Sequence, residues 1–144
     1  MITINPQKKP KAIVIWLHGL GADENDFVPF IKSLELGNIE FILPNAPLRP
    51  ITMNQGISMR GWYDIKGKHE SLNFSYQDES GLRKSKDLIE AIIKKRCALG
   101  SSNFKVFIGG FSQGAALSLF TGLSSNLKIS GIIALSGYLP KNIK

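Results

Sequence analysis

One serine of this chain lies in a sequence pattern that favours nucleophilic chemistry. Residues Gly110-Phe111-Ser112-Gln113-Gly114 match the pattern G-x-S-x-G, in which a serine occupies a sharp turn between a strand and a helix. Side chains two residues before and two residues after the serine would collide in such a turn, so both positions are glycine. The helix that begins after Ser112 directs free N–H groups and the positive end of its dipole at the serine. The pattern therefore predicts attack by Ser112 on a substrate carbonyl group.

The flanking sequence supplies the strand and the helix that this pattern requires. Residues 106–108 are β-branched or aromatic, which predicts a buried strand, and residues 114–120 predict a helix that packs closely at its start. The alternative is a glycine-rich turn in which Ser112 does no more than cap the helix. The strand before the motif and the helix after it favour the nucleophile.

A second glycine-rich loop, His18-Gly19-Leu20-Gly21, follows the apolar run at residues 12–17. It could begin the dinucleotide pattern G-x-G-x-x-G, but Glu24 takes the place of the last glycine and would repel a pyrophosphate. Enzymes that use a G-x-S-x-G turn take a second oxyanion donor from the loop after an early strand. The Leu20 N–H group fits that role opposite the Gln113 N–H group. Because both donors are backbone groups, the His18 side chain is predicted to be a core residue that shapes the loop.

Strands and helices alternate along the chain, which predicts a parallel α/β sheet. The carboxyl ends of its strands would bring the loops at residues 18–23 and 111–114 to one site. The strand candidates are residues 1–4, 12–17, 41–44, 105–109 and 129–138, and the helix candidates are residues 24–36, 78–97 and 114–120. On the second helix, Leu82, Ser85, Leu88, Ile89, Ile92 and Cys97 are expected near one buried face.

The segment from Ile51 to Asn73 shows no regular pattern, because glycines interrupt it. Its apolar residues suggest an irregular loop that lies against the core and forms one wall of a pocket. Met59 and Trp62 are the candidates for lining a substrate pocket.

Composition excludes several other kinds of site. The chain has 144 residues and a single cysteine, Cys97, so neither a disulfide nor a metal cluster is predicted, and no cofactor is expected. No apolar run approaches the length of a transmembrane segment, and the start lacks a signal-peptide core, so a cytoplasmic protein is expected. The net charge is +7, and residues 91–144 contain seven basic residues and no acidic one. Because these basic residues are scattered and lack interleaved aromatics, binding to nucleic acid is not predicted.

The chain resembles the carboxylesterase, acyl-protein thioesterase and lysophospholipase group of serine α/β hydrolases. The resemblance rests on six segments in the family's order, at residues 17–23, 44–50, 62–64, 78–81, 109–115 and 134–140. It implies an α/β-hydrolase fold, a mostly parallel sheet with flanking helices. It also implies Ser112 as nucleophile, the N–H groups of Leu20 and Gln113 as the oxyanion hole, and small carboxylic esters or acyl thioesters as substrates.

The chain departs from the family in its last part. In this fold the catalytic acid and then the histidine follow the serine, but residues 113–144 contain no Asp, Glu or His. Both histidines, His18 and His69, precede Ser112, and His69 lies in a polar stretch typical of a surface loop. We therefore expect residues 1–144 to form a single, incomplete domain, truncated at the C-terminus, that lacks the last strands and helices and is catalytically crippled.

Such a domain would expose the strand at residues 129–135 as an apolar edge. This edge would allow self-association or pairing with a complementing C-terminal polypeptide. Two alternatives remain open, a split hydrolase completed by a separate chain and a non-catalytic acyl-binding protein.

Overall fold

The computed structural model describes residues 1–6, 8–66, 78–99 and 104–140. The strands are β1 (Ile2–Ile4), β2 (Ala12–Leu17), β3 (Ile39–Leu43), β4 (Leu48–Ile51), β5 (Ile57–Arg60), β6 (Lys105–Phe111) and β7 (Gly131–Leu135). The helices are α1 (Val28–Ser33), α2 (Glu79–Ala98) and α3 (Gln113–Ser124), with one turn of 3₁₀-helix at Thr52–Asn54.

A five-stranded sheet in the order β1-β3-β2-β6-β7 forms the scaffold. Strands β3, β2, β6 and β7 are parallel, and only β1 runs antiparallel to its neighbour. Every residue of β2 is buried, as expected for the central strand of a parallel sheet that is covered on both faces. Ile13 and Ile15 face a core shared with α2 and α3, whereas Val14 and Trp16 face a smaller core with α1. The predicted parallel sheet with flanking helices is confirmed.

Helix α2 closes one face of the sheet, as its sequence predicts. The Asp78 carboxylate accepts a hydrogen bond from the Gly81 N–H group at 2.9 Å and so caps the helix. Leu82, Ser85, Ile89 and Ile93 form its buried face. The prediction that Leu88 belongs to this face is wrong, because Leu88 is 41% exposed.

Helix α1 is shorter than the predicted helix at residues 24–36. The Asp23 carboxylate accepts the Asn25 N–H group at 2.7 Å, which turns the chain before the helix begins at Val28. At the other end, Glu35 has a left-handed φ of 52°, which ends the helix before Gly37.

The prediction of an irregular segment is wrong for residues 51–60. Strands β4 and β5 form an antiparallel hairpin, with Leu48 opposite Arg60 and Ile51 opposite Ile57. The chain reverses at Gln55 and Gly56, whose φ values of 57° and 78° are left-handed. The hairpin brings the residues that follow β5 against the carboxyl end of the main sheet. Residues 67–73 lie outside the described residues.

Strand β7 lies at the edge of the sheet and is shorter than the predicted strand at residues 129–138. In the described part of the chain its one strand partner is β6. Its second half is open to solvent, with Ile133 39% and Leu135 38% exposed. Neither α2 nor any other described helix has the length and apolar character needed to cross a bilayer.

Candidate active site

Ser112 lies at the turn between β6 and α3, with a φ of 53° and a ψ of −116°. This left-handed conformation is strained for a residue with a Cβ, and strain of this kind concentrates at functional sites. The Ser112 N–H group donates to the Leu135 carbonyl at 2.9 Å, which ties the turn to β7. The serine side chain makes no capping hydrogen bond to α3. The alternative in which Ser112 serves only as a helix cap is therefore wrong.

Two glycines leave room for this turn, as the motif predicts. A Cβ atom on Gly114 would lie 2.1 Å from the Leu17 carbonyl oxygen, and one on Gly110 would lie 2.5 Å from the Gly114 carbonyl carbon. Neither distance is compatible with a side chain, because both neighbours are backbone atoms. The turn therefore packs directly against the end of β2, where the His18 loop begins.

The two predicted oxyanion donors lie beside the serine. A Cβ atom on Gly19 would be 3.6 Å from the Ser112 Cβ, so the loop that contains Leu20 touches the turn. Gln113 is the first residue of α3, where a backbone N–H group has no partner inside the helix. Neither the Leu20 N–H nor the Gln113 N–H group has an acceptor among the described residues. Both donors are free to bind an oxyanion, and that role stays a prediction.

His18 is a buried, neutral side chain, which confirms its predicted place in the core. It is 2% exposed, its Nδ1–H group donates to the Gly19 carbonyl at 2.8 Å, and its Nε2 atom accepts the Ala46 N–H group at 3.0 Å. Burial lowers the pKa of His18 from its ordinary value of 6.5, outweighing the Gly19 hydrogen bond, which raises it. Because both ring nitrogens are engaged, His18 has no free atom with which to take a proton from Ser112.

The two predicted pocket residues have different environments. Trp62 has no exposed surface, and its Nε1–H group donates to the His18 carbonyl at 2.8 Å. The ring therefore shows no surface to a pocket among the described residues, and its predicted place in a pocket wall stays a prediction. Met59 is half-buried, and its sulfur lies 3.7 Å from the position of a Cβ on Gly21. Its contribution to a pocket stays a prediction.

The side chains that hold the site together were not predicted from the sequence. Gln113 is 2% exposed, and its side-chain amide bonds to the backbone of Trp62 and Tyr63. Ser85 donates from α2 to the Trp62 carbonyl. A polar residue on an otherwise apolar helix face, as at Ser85, is a signal that such a contact exists. The described residues hold no cluster of His, Cys, Asp and Glu suited to a metal, and His69 lies outside them.

A parallel sheet covered by helices, with a serine on a strained turn at the carboxyl end of a central strand, defines the α/β-hydrolase class. Within that class the chain belongs to the phospholipase/carboxylesterase family, which it matches over residues 1–144.

Several members of this class are similar to the chain. It is 40% identical to acyl-protein thioesterase 1 of Emericella nidulans over 140 residues, which cover 92% of this chain and 59% of that protein. Arabidopsis thaliana SOBER1, known from a crystal structure, is 36% identical to this chain in sequence. The two structures match with a TM-score of 0.80 over 91% of this chain and 63% of the SOBER1 chain. Zea mays acyl-protein thioesterase 2 is 28% identical with a TM-score of 0.82, over 97% of this chain and 62% of its own. The chain spans about three-fifths of the length of the curated relatives it matches.

Proposed function

We propose that these residues form part of a serine hydrolase of carboxylic esters or acyl thioesters. The observation that carries the proposal is the strained backbone of Ser112 between Gly110 and Gly114. The Ser112 Oγ atom attacks the acyl carbonyl, and the Leu20 and Gln113 N–H groups bind the resulting oxyanion. The alcohol or thiol leaves with a proton, and water then releases the carboxylic acid from the serine. Relatives named acyl-protein thioesterase support the substrate class.

The general base and its acid partner come from outside residues 1–144 in this proposal. Residues 113–144 contain no Asp, Glu or His, and the hydrogen bonds of His18 leave it no free nitrogen. The relatives are longer than this chain, so a further segment has a counterpart in the family. Without a base the serine hydroxyl is a weak nucleophile at neutral pH.

Strand β7 is the proposed contact for the segment that carries the base. Its residues include no proline or charged side chain, the features by which proteins usually protect an edge. Ala134 and Leu135, neighbours that point to opposite faces, are both exposed. Both faces of β7 and its edge are therefore unburied. This favours an added segment that contains a strand with flanking helices over one that contains a strand alone. Since the Leu135 carbonyl holds the Ser112 N–H group, this contact would also support the nucleophile.

Hydrolysis of p-nitrophenyl butyrate tests the proposal. We expect the 144-residue chain to be close to its Ser112→Ala variant, because the base is missing. Fusion to the C-terminal part of the Emericella nidulans relative should raise the rate by about 10³-fold or more. Ser112→Ala should abolish that gain, and the control Ser124→Ala, at the far end of α3, should keep it. A folded fusion without activity, or full activity in the chain alone, would contradict the proposal.

A second candidate function is acyl binding without catalysis. The absence of Asp, Glu and His after Ser112 favours it, because a pocket and a donor pair bind an acyl carbonyl without needing a base. A folded fusion that binds a non-hydrolysable acyl thioether but does not turn over the ester would support this candidate over the hydrolase.

A further inference from the structure

We propose that residues 60–63 act as a clamp that sets the distance between the two oxyanion donors. The positioning residues are Trp62, in the clamp, and Gln113, whose side chain binds the clamp from the start of α3. The inference rests on the proposed function. It concerns the part of the site that the chain itself contains, and none of these side chains is assigned a role by the proposed reaction.

The clamp holds the loop that carries Leu20 on both sides of that residue. On the far side, the Gly21 N–H group donates to the Arg60 carbonyl at 2.8 Å. On the near side, the Trp62 Nε1–H group donates to the His18 carbonyl at 2.8 Å. Leu20 lies between these two attachments, which restrict the movement of its N–H group.

The same clamp holds the turn that carries Ser112. The Trp62 N–H group donates to the Gln113 Oε1 atom at 2.9 Å, and the Gln113 Nε2–H group donates to the Tyr63 carbonyl at 2.7 Å. The Gln113 amide thus bridges two successive residues of the clamp, and the backbone N–H of Gln113 is the second oxyanion donor. Since Gln113 is 2% exposed, water does not compete for these bonds.

The clamp is itself fixed to the core. Trp62 and Tyr63 are almost completely buried. The Ser85 hydroxyl of α2 donates to the Trp62 carbonyl, and the Tyr63 hydroxyl is hydrogen-bonded to that of Tyr138. A segment anchored in this way can transmit a fixed geometry to both donors.

Among the described residues no hydrogen bond joins residues 18–21 directly to residues 112–114. Their direct contact is packing, as between Gly19 and Ser112. The spacing of the two donors therefore depends on a third element. Oxyanion stabilisation requires donors close to 3 Å from the developing charge, and a misplacement of about 1 Å costs on the order of 10²-fold in rate.

Two substitutions remove hydrogen bonds of the clamp and keep a side chain of similar kind in its place. Trp62→Phe keeps an aromatic ring but removes the Nε1–H donor to His18. Gln113→Met keeps the side-chain length but removes both amide contacts. Thr52→Val is the control, because it removes a bond to the Asp64 carboxylate, next to the clamp, without touching either donor.

The readout is the amide proton shift of Leu20 and Gln113 in a Ser112 phosphonate adduct. The adduct forms on prolonged alkaline incubation of the 144-residue chain with a p-nitrophenyl alkylphosphonate, whose phosphonyl oxygen stands in for the oxyanion. In the parent chain and in Thr52→Val, both amide protons should move downfield on adduct formation. Trp62→Phe should lose at least half of the Leu20 shift, and Gln113→Met at least half of the shift at both amides. Unchanged signals from β2 and β6 establish that each variant is folded.

A third variant tests the clamp if Trp62→Phe or Gln113→Met does not fold. Gln113→Glu keeps the acceptor for the Trp62 N–H group, but the ionised carboxylate has no proton to donate to Tyr63. Along a pH series, both amide shifts should therefore be reduced where the side chain is ionised and restored where the protonated side chain donates again. Full shifts at both amides in every folded variant would overturn the clamp and leave the proposed function standing. Absence of an adduct on Ser112 even in the fusion to the C-terminal part of the Emericella nidulans relative would overturn the proposed function instead.

Discussion

At the scale of single residues, the candidate site is determined by which backbone atoms come close to each other. Ser112 adopts its left-handed conformation because Gly110 and Gly114 let the turn press against Leu17. This is a local, steric requirement, so the five-residue motif predicts it from sequence. The contacts of Gln113 with Trp62 join residues that are 51 positions apart, and no local pattern reveals them.

The close approach at Gly114 predicts a large cost for a single methyl group. Gly114→Ala would place a Cβ 2.1 Å from the Leu17 carbonyl oxygen, so we expect a loss of about 3 kcal/mol or more in the free energy of unfolding. Gly37→Ala is the control, since a Cβ there has nothing within 4 Å, and its effect should stay within about 1 kcal/mol. Urea unfolding of the three proteins measures both values. Equal effects of the two substitutions would show that the packing at Gly114 is not tight.

His18 predicts a pH dependence of stability with a definite sign. Burial lowers the folded-state pKa below the ordinary value of 6.5, so the unfolded chain binds more protons near that pH. The stability contributed by neutral His18 is complete above pH 6.5 and is lost as the pH falls through the folded-state pKa.

Urea unfolding between pH 7.5 and pH 5 tests the His18 prediction. His18→Gln keeps an acceptor for Ala46 without a titrating group, so the fall in stability across this range should become shallower. His69→Gln is the control and should leave the slope unchanged if that histidine is a surface residue, as its sequence predicts. A slope that disappears with His69→Gln would contradict the assignment to His18.

At the scale of secondary structure, elements with a clear apolar pattern were predictable, including the short strand β1, whereas the hairpin of β4 and β5 was not. The sequence of β2 and α2 indicates their type and extent because the apolar pattern continues over a whole strand or several helical turns. Each strand of the β4–β5 hairpin has only four residues, and one residue of β4 is Pro50. The two strands form a separate sheet and depend on packing against the main domain, so local propensity does not reveal them.

Asp78 connects α2 to the segment that follows the clamp. Its carboxylate accepts the N–H groups of Gly81 and Asp64, each at 2.9 Å, and lies 3.6 Å from Arg49. Burial acts to raise the pKa of Asp78, but these hydrogen bonds and the nearby positive charges outweigh it and lower the pKa below 3.8.

The loss of this carboxylate should cost about 2 kcal/mol, because one helix cap and one further acceptor disappear. We therefore expect Asp78→Ala to lower the free energy of unfolding by that amount at pH 7. The difference from the parent should shrink as the pH falls below 3.8, where Asp78 becomes protonated. Asp87→Ala, at an exposed position of the same helix, should change stability by less than about 0.5 kcal/mol. A similar loss in both variants would contradict the role of Asp78.

At the scale of the whole molecule, the sheet is protected at one side and open at the other. The edge at β1 is one short antiparallel strand, whereas β7 presents Ile133 and Leu135 to solvent. An apolar edge without charge or proline tends to pair with another chain. The isolated 144-residue chain should therefore self-associate as its concentration rises.

Sedimentation velocity over a concentration series tests this association. Ile133→Lys puts a charge on β7 and should shift the protein toward monomer. Leu123→Lys is the control, because it changes a 55% exposed leucine of α3 and no residue of the β7 edge, and it should associate like the parent. Association that survives Ile133→Lys but not Leu123→Lys would place the contact on the helix.

The central claim is that Ser112 is the nucleophile that takes up an acyl group, and peptide mapping tests it most directly. Because the base that would activate water for the second step is absent from residues 113–144, both acylation and deacylation should be slow. After prolonged incubation of the 144-residue chain with p-nitrophenyl butyrate, we therefore expect a persistent butyryl group on the peptide that contains Ser112. Ser112→Ala should remove that modification and leave any lysine acylation unchanged. Butyryl groups on lysines alone, with Ser112 unmodified in a folded chain, would contradict the claim.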